Sequence, residues 1–158
     1  MVHAWRLVKT RHLAHAFDGD GARRFGGRWN SPGIPVSYVA ESLALAALEI
    51  LVHLQSTAPL PSYSAIPVHF DARIIETLKT ADLPRAWRAS PPPAALRDIG
   101  DTWVSEGKSA VLAVPSAVVE AERIFLLNPA HPAFKRIHAG KPQPFALDAR
   151  LSPARRRG

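Results

Sequence analysis

The sequence predicts a single α+β domain, and three observations carry that expectation. Its 158 residues and 17.2 kDa suit one compact domain rather than two, and a chain of this length buries about 68–70% of its unfolded surface. Hydrophobic residues make up 47% and charged residues 21%, close to the globular average, which argues against wholesale disorder. Strand-like and helix-like runs follow one another without the regular alternation of a doubly wound sheet. The 15 prolines punctuate them in clusters, such as Pro59, Pro61 and Pro67, or Pro91, Pro92 and Pro93. Each cluster is expected to stop a helix or to confine a strand to an edge or end. The result is a set of short elements on stiff loops, with residues 1–150 as the domain and 151–158 as a basic tail expected to be flexible.

The elements follow in order. Residues 3–9 alternate as a strand with Trp5 and Leu7 on one face. A glycine-rich polar stretch runs from Asp18 to Gly33. Pro35 to Ala40 reads as a short strand on which Val36, Tyr38 and Ala40 point one way. Glu41 to Gln55 reads as a helix ended by the turn-forming Ser56 to Pro61. Ala65 to Phe70 is a further strand, and Ile74 to Leu78 a helical turn or two. Pro93 suits the first turn of a helix whose Leu96, Ile99, Trp103 and Val104 share a stripe. Ser109 to Val114 and Arg123 to Leu127 are apolar strands, the second stopped by Asn128 and Pro129. No segment repeats another.

Composition excludes several classes. Without cysteine there is no disulfide, thiolate metal site or cysteine nucleophile. No apolar run approaches a membrane span, and no secretory leader is visible, so a cytoplasmic protein is expected. The net charge of +7 is uneven: residues 1–30 carry six basic and two acidic side chains, residues 131–158 seven and one. Such ends fit a nucleic-acid binder, an acidic protein partner, or a solvated tail around Arg155, Arg156 and Arg157. No aromatic-basic platform or nucleic-acid motif accompanies the charge. His12 with His15, and His131 with His138, lack the spacing of a metal motif, and no metal is expected.

Two places carry chemistry. Arg28 leaves a Gly26–Gly27 pair and precedes Trp29 and Asn30. Glycines allow close approach of backbone to ligand, and a guanidinium matches phosphate oxygens. Neither a Walker loop nor a dinucleotide fingerprint is present, so a turn-rich connection and a phosphate site both fit. The second place is the helix, apolar from Leu43 to Leu54 except for Glu49 and His53. A carboxylate there is paired, protonated or functional. Glu49 shares a face with Ser42 and His53, so a surface Glu49–His53 pair is the plain alternative. Ser116, after Pro115 at the end of an apolar strand, lacks a nucleophile elbow and reads as a turn hydroxyl or a pocket group.

Arg28 in Gly26–Asn30, Tyr38, Glu49 and Ser116 in Val114–Ser116 together resemble the RES-domain family, named for such an Arg, Glu and Ser. The resemblance continues through Ile99 to Trp103 and Leu127 to Pro132, and covers almost the whole chain. It implies a fold like that of ADP-ribosyltransferases, with short strands around a cleft flanked by helices. It also implies a toxin of a toxin–antitoxin pair that cleaves NAD+ at the nicotinamide–ribose bond, with phosphate or water as acceptor. Protein mono-ADP-ribosylation at the same site is the alternative, and a basic nucleic-acid-binding protein a remote one. On this reading Glu49 stabilises the oxocarbenium-like transition state, and Arg28 holds the pyrophosphate or the adjoining ribose. Tyr38 stacks on nicotinamide or ribose, Ser116 hydrogen-bonds substrate, and Asn128 and Arg6 line the pocket. NAD+ is then a substrate, with no other cofactor. The implied partner is an Xre-like antitoxin that covers the mouth of the site, with room for a homodimer in the complex. Direct nucleic-acid or membrane binding is not expected.

Overall fold

Alternating side chains set the frame. In the computed structural model, which describes residues 1–54 and 60–151, β1 (Val2–Lys9) sends Trp5 and Leu7 to one face and Ala4 and Val8 to the other. It pairs antiparallel along its whole length with β3 (Tyr63–Phe70). Its other side meets β2 (Ser37–Ala40), where Trp5 faces Ala40. β2 pairs with β6 (Arg123–Leu127) and β6 with β5 (Val111–Pro115), both antiparallel. β4 (Ile75–Thr77) joins β5 in parallel, while β7 (His138–Ala139) and β8 (Gln143–Phe145) line the outer side of β3. Among the described residues the sheet thus has eight strands in the order β4-β5-β6-β2-β1-β3-β7, with β8 also on β3.

Both faces are covered, which explains why β5 and β6 read as continuous apolar runs. Leu112, Val114 and Leu126 face a core with Trp29, Trp87, Leu96 and Trp103. Val111, Ala113, Phe125 and Leu127 face a second core with Phe70 and Ile74. The first core lies under two helices, α2 (Leu43–Leu51) and α3 (Ala94–Glu106). A short helix, α1 (Asp20–Phe25), lies within the glycine-rich stretch.

Four readings of the sequence are corrected here. Ile74–Leu78 is not helical: Ala72–Ile74 form a 3₁₀ turn and Ile75–Thr77 a strand, because pairing with β5 outweighs local preference. The second helix starts at Leu43, since Ser42 Oγ accepts the Leu45 N–H at 3.1 Å, and it ends at Leu51. Its apolar surface is not wholly buried, because Leu48 is 39% and Val52 58% exposed. Pro67 is neither at an edge nor at an end but inside β3. Its carbonyl accepts from Gly140 N–H at 2.7 Å, so its missing donor faces the connection between β7 and β8, where the ladder is interrupted. The expected helix end at Gln55 and turn residues 56–59, like Arg155–Arg157, lie outside the described residues.

Candidate functional site

Glu49 and Ser116 are 67 residues apart in sequence and bonded in space. Ser116 follows β5 and is fully buried. Its Oγ accepts the N–H groups of Val118 at 3.1 Å and Val119 at 3.0 Å, and donates to Glu49 Oε1 at 2.9 Å. With one bond donated and two accepted, the hydroxyl is saturated by groups of the chain itself. In this arrangement Ser116 Oγ orients the Glu49 carboxylate. Glu49 itself is half-buried on α2. Among the described residues its Oε2 takes no hydrogen bond, and no Glu49–His53 pair forms.

Tyr38 projects from β2 into the first core. Its hydroxyl donates to Asn30 Oδ1 at 2.5 Å and accepts the Trp29 N–H at 3.3 Å. Asn30 is fully buried, and its Nδ2 is shared among the carbonyls of Ala22, Ser31 and Ile34. Burial pushes the Tyr38 phenol well above its ordinary value, opposed by the Trp29 N–H, reinforced by Asp101 and offset by Arg97. Tyr38 is thus a neutral post that shapes the Gly26–Asn30 turn. A Cβ on Gly27 would lie 2.8 Å from both the Tyr38 hydroxyl and Asn30 Oδ1, so any side chain here would have to displace the Tyr38–Asn30 pair. Gly26 has φ of +72°, which also favours glycine.

Arg28 is half-buried, and its Nη1 donates to the carbonyls of Trp87 at 3.0 Å and Ala89 at 2.9 Å. Arg88, between those two residues, donates through Nε to the Ala117 carbonyl at 3.1 Å and through Nη1 to Glu120 at 3.2 Å. Residues 87–89 therefore tie the Arg28 loop to the turn that follows Ser116. Sequence reasoning passed over this strut, because its bonds are made by backbone carbonyls that no residue pattern marks. Arg97 on α3 was missed as well: its Nε donates to the Gly27 carbonyl at 3.2 Å. A signal was available, since Arg97 lies one position beyond Leu96 on the amphipathic helix. Gly100 on the same helix packs so closely that a Cβ would lie 1.6 Å from the Trp29 carbonyl oxygen.

Two expected pocket residues lie elsewhere. Arg6 is half-buried and donates to the carbonyls of Ala16 and Tyr38, each at 3.0 Å. Burial pushes its guanidinium down to about 10, with Asp18 opposing, so it remains a cation at neutral pH. It follows Trp5 on β1, so its side chain leaves the sheet on the face opposite Trp5 and Tyr38. Asn128 is 3% exposed and uses Oδ1 to accept the Ala130 N–H at 3.0 Å. It closes β6 at Leu127, whereas Ser116 leaves β5 beside Arg123, at the far end of that strand pair. Two surface hollows, of about 360 Å³ beside Lys79 and Pro115 and about 580 Å³ beside Tyr63 and Phe145, are lined by none of Arg28, Tyr38 and Glu49.

A carboxylate with one oxygen held and one open, backed by a buried hydroxyl, can stabilise a developing cation. A guanidinium with an unspent edge can hold an anion. Comparison with known proteins bears on what these groups serve. The RES domain model matches residues 3–148. The chain is 39% identical over 148 residues to Toxin Res of Yersinia enterocolitica, covering 93% of this chain and 97% of that protein. It is 36% identical over 153 residues to the Prs ADP-ribosylating toxin of Sphingobium sp., covering 93% and 94%. Among solved structures, it resembles a chain of the M. tuberculosis MbcT–MbcA toxin–antitoxin complex with a TM-score of 0.74 at 18% identity, covering 96% of this chain and 85% of that one.

Proposed function

The chain belongs to the RES domain family, and on that premise we propose that it is the toxin of a toxin–antitoxin pair that degrades NAD+. The observation that carries the proposal is Glu49, a half-buried carboxylate aligned by Ser116 Oγ at 2.9 Å. In the reaction the nicotinamide–ribose bond breaks, its electron pair goes to the pyridinium nitrogen, and nicotinamide leaves neutral. No strong general acid is required. The ribose becomes oxocarbenium-like, and Glu49 Oε2 lies open to face that charge. An oxygen of phosphate or water then forms the new bond to the anomeric carbon, releasing ADP-ribose 1-phosphate, or ADP-ribose and a proton.

Arg28 is the anion-binding group in this reading. It keeps Nε and Nη2 for the pyrophosphate while Nη1 is anchored on Trp87 and Ala89. Tyr38, with its hydroxyl turned inward to Asn30, offers its ring to the nicotinamide end. A second reading, transfer of ADP-ribose to a protein, is favoured by the similarity to the Prs ADP-ribosylating toxin. It uses the same residues and a different acceptor.

An enzyme that consumes its host's NAD+ needs restraint, so the partner is an antitoxin, as the fold shared with a chain of a toxin–antitoxin complex supports. The antitoxin is Xre-like, covers the Arg28 mouth with a carboxylate or chain end, and carries any DNA affinity of the complex. The site of action proposed is the cytoplasm, where the host's NAD+ is met. Among the described residues no helix is long and apolar enough to cross a membrane. The deciding experiment is purified protein with NAD+, with and without phosphate, followed by mass spectrometry. Nicotinamide release with a phosphate-dependent sugar phosphate identifies phosphorolysis, and intact NAD+ in every mixture overturns the proposal.

A further inference from the structure

Several arginines of this chain are matched by carboxylates, as Arg23 and Arg24 are by Asp20 and Arg73 by Asp71. Arg28 and Arg97 differ. Both are half-buried, and among the described residues neither lies within ion-pair distance of an acidic side chain. Each is instead tethered by one nitrogen to backbone carbonyls: Arg28 through Nη1 to Trp87 and Ala89, and Arg97 through Nε to Gly27. Asp101, one helical turn beyond Arg97, accepts the Ser31 N–H through Oδ1 at 2.9 Å and makes no direct ion pair with Arg97.

The Arg97 tether ends on the turn from which Arg28 springs, while the Arg28 guanidinium is held by residues 87 and 89. The carbonyl that Arg97 holds is that of Gly27, whose next atom along the chain is the Arg28 nitrogen. Gly27 is also the residue without room for a Cβ against Tyr38. One cation is thus anchored on the turn that carries the other. Arg28 keeps Nε and Nη2, and Arg97 keeps both Nη nitrogens, uncommitted among the described residues. Burying unpaired charge is costly unless an anion completes the arrangement. A guanidinium anchored on one nitrogen is preorganised to give its remaining donors to oxyanions. A dinucleotide pyrophosphate carries two negative charges on adjacent phosphoryl groups, matching two fixed cations.

We propose that Arg97 is the second half of a diphosphate clamp, acting with Arg28 on the nucleoside diphosphate portion of the substrate. This rests on the NAD+-consuming reading and names how that site selects a diphosphate. The test is calorimetric titration of the full chain with ADP and with nicotinamide riboside, which has no phosphate, beside steady-state kinetics with NAD+. Arg97→Gln is expected to weaken ADP at least tenfold and raise KM for NAD+ to match, with kcat within about twofold and nicotinamide riboside unaffected. Should Arg97→Gln not fold, Arg97→Lys keeps the stem and the charge and is expected to lose at least threefold for ADP. ADP affinity unchanged in the folded variant, or equal losses for ADP and nicotinamide riboside, overturns the clamp. Arg97-dependent ADP binding without NAD+ consumption upholds the clamp and overturns the functional reading. NAD+ consumption with Arg97-independent ADP binding does the reverse.

Discussion

Ser116 donates its hydroxyl hydrogen to Glu49 at 2.9 Å while the same oxygen accepts two backbone N–H groups from Val118 and Val119. The donors leave the hydroxyl one direction in which to point, and that direction is the carboxylate. A turn after β5 therefore sets the rotamer of a side chain on α2. This relationship makes the charge of Glu49 the sharpest point of test.

Glu49→Gln keeps the size and a hydrogen-bond acceptor for Ser116 but removes the charge. Turnover of NAD+ is expected to fall about 10²–10³-fold, the scale of losing one electrostatic stabiliser, with the melting temperature little changed. Near-native consumption would remove Glu49 from the chemistry.

Ser116→Ala leaves two backbone donors and one carboxylate oxygen without their partner. A loss of about 1–3 kcal/mol in urea unfolding is expected, together with a fall in kcat and a KM within about twofold. A rise in KM alone would mean that Ser116 touches substrate directly.

Arg28→Lys is expected to lose most activity, because an ammonium cannot hold two carbonyls and an oxyanion edge at once. Arg23→Ala and Arg24→Ala remove exposed pairs with Asp20 and are expected to stay within about twofold of wild type. Equal losses at all three positions would point to a diffuse basic surface.

Tyr38→Phe strips Asn30 Oδ1 of its donor and is expected to destabilise the fold by about 1–3 kcal/mol. The phenol pKa is raised above its ordinary 10.0 by burial. Its contribution to stability is therefore complete below about pH 10 and is lost as pH rises toward the folded-state value. Alkaline unfolding should lose part of its steepness in the Phe variant; an unchanged profile would contradict the buried phenol.

Gly100→Ala places a methyl group 1.6 Å from the Trp29 carbonyl oxygen. The helix propensity gained is about 1 kcal/mol, and overpacking of backbone against backbone exceeds it. A net loss of about 3 kcal/mol or more is expected in chemical unfolding, and a stable, active variant would show that α3 can move away from the Arg28 loop.

Local pattern was enough to reveal much of this molecule. Alternation in Trp5–Leu7 and the apolar runs at 111–115 and 123–127 mark three strands, because sheet periodicity is written residue by residue. The lone Glu49 in an apolar helix and Arg28 after two glycines stand out for the same reason. Resemblance across Arg28, Tyr38, Glu49 and Ser116 supplied the family, which the match over residues 3–148 establishes. What local pattern cannot carry is a partner far along the chain. Strand Ile75–Thr77 exists because β5 lies beside it. Arg6 leaves the sheet opposite the Tyr38 ring because of strand parity, and Asn128 sits at the end of the β5–β6 pair away from Ser116 because those strands run antiparallel. The role of Ser116, the anchoring of Arg28 by residues 87–89, and the arrival of Arg97 at Gly27 were decided by packing alone. Each is a contact across dozens of residues, made by backbone groups that every residue possesses, and only the folded chain selects which of them meet.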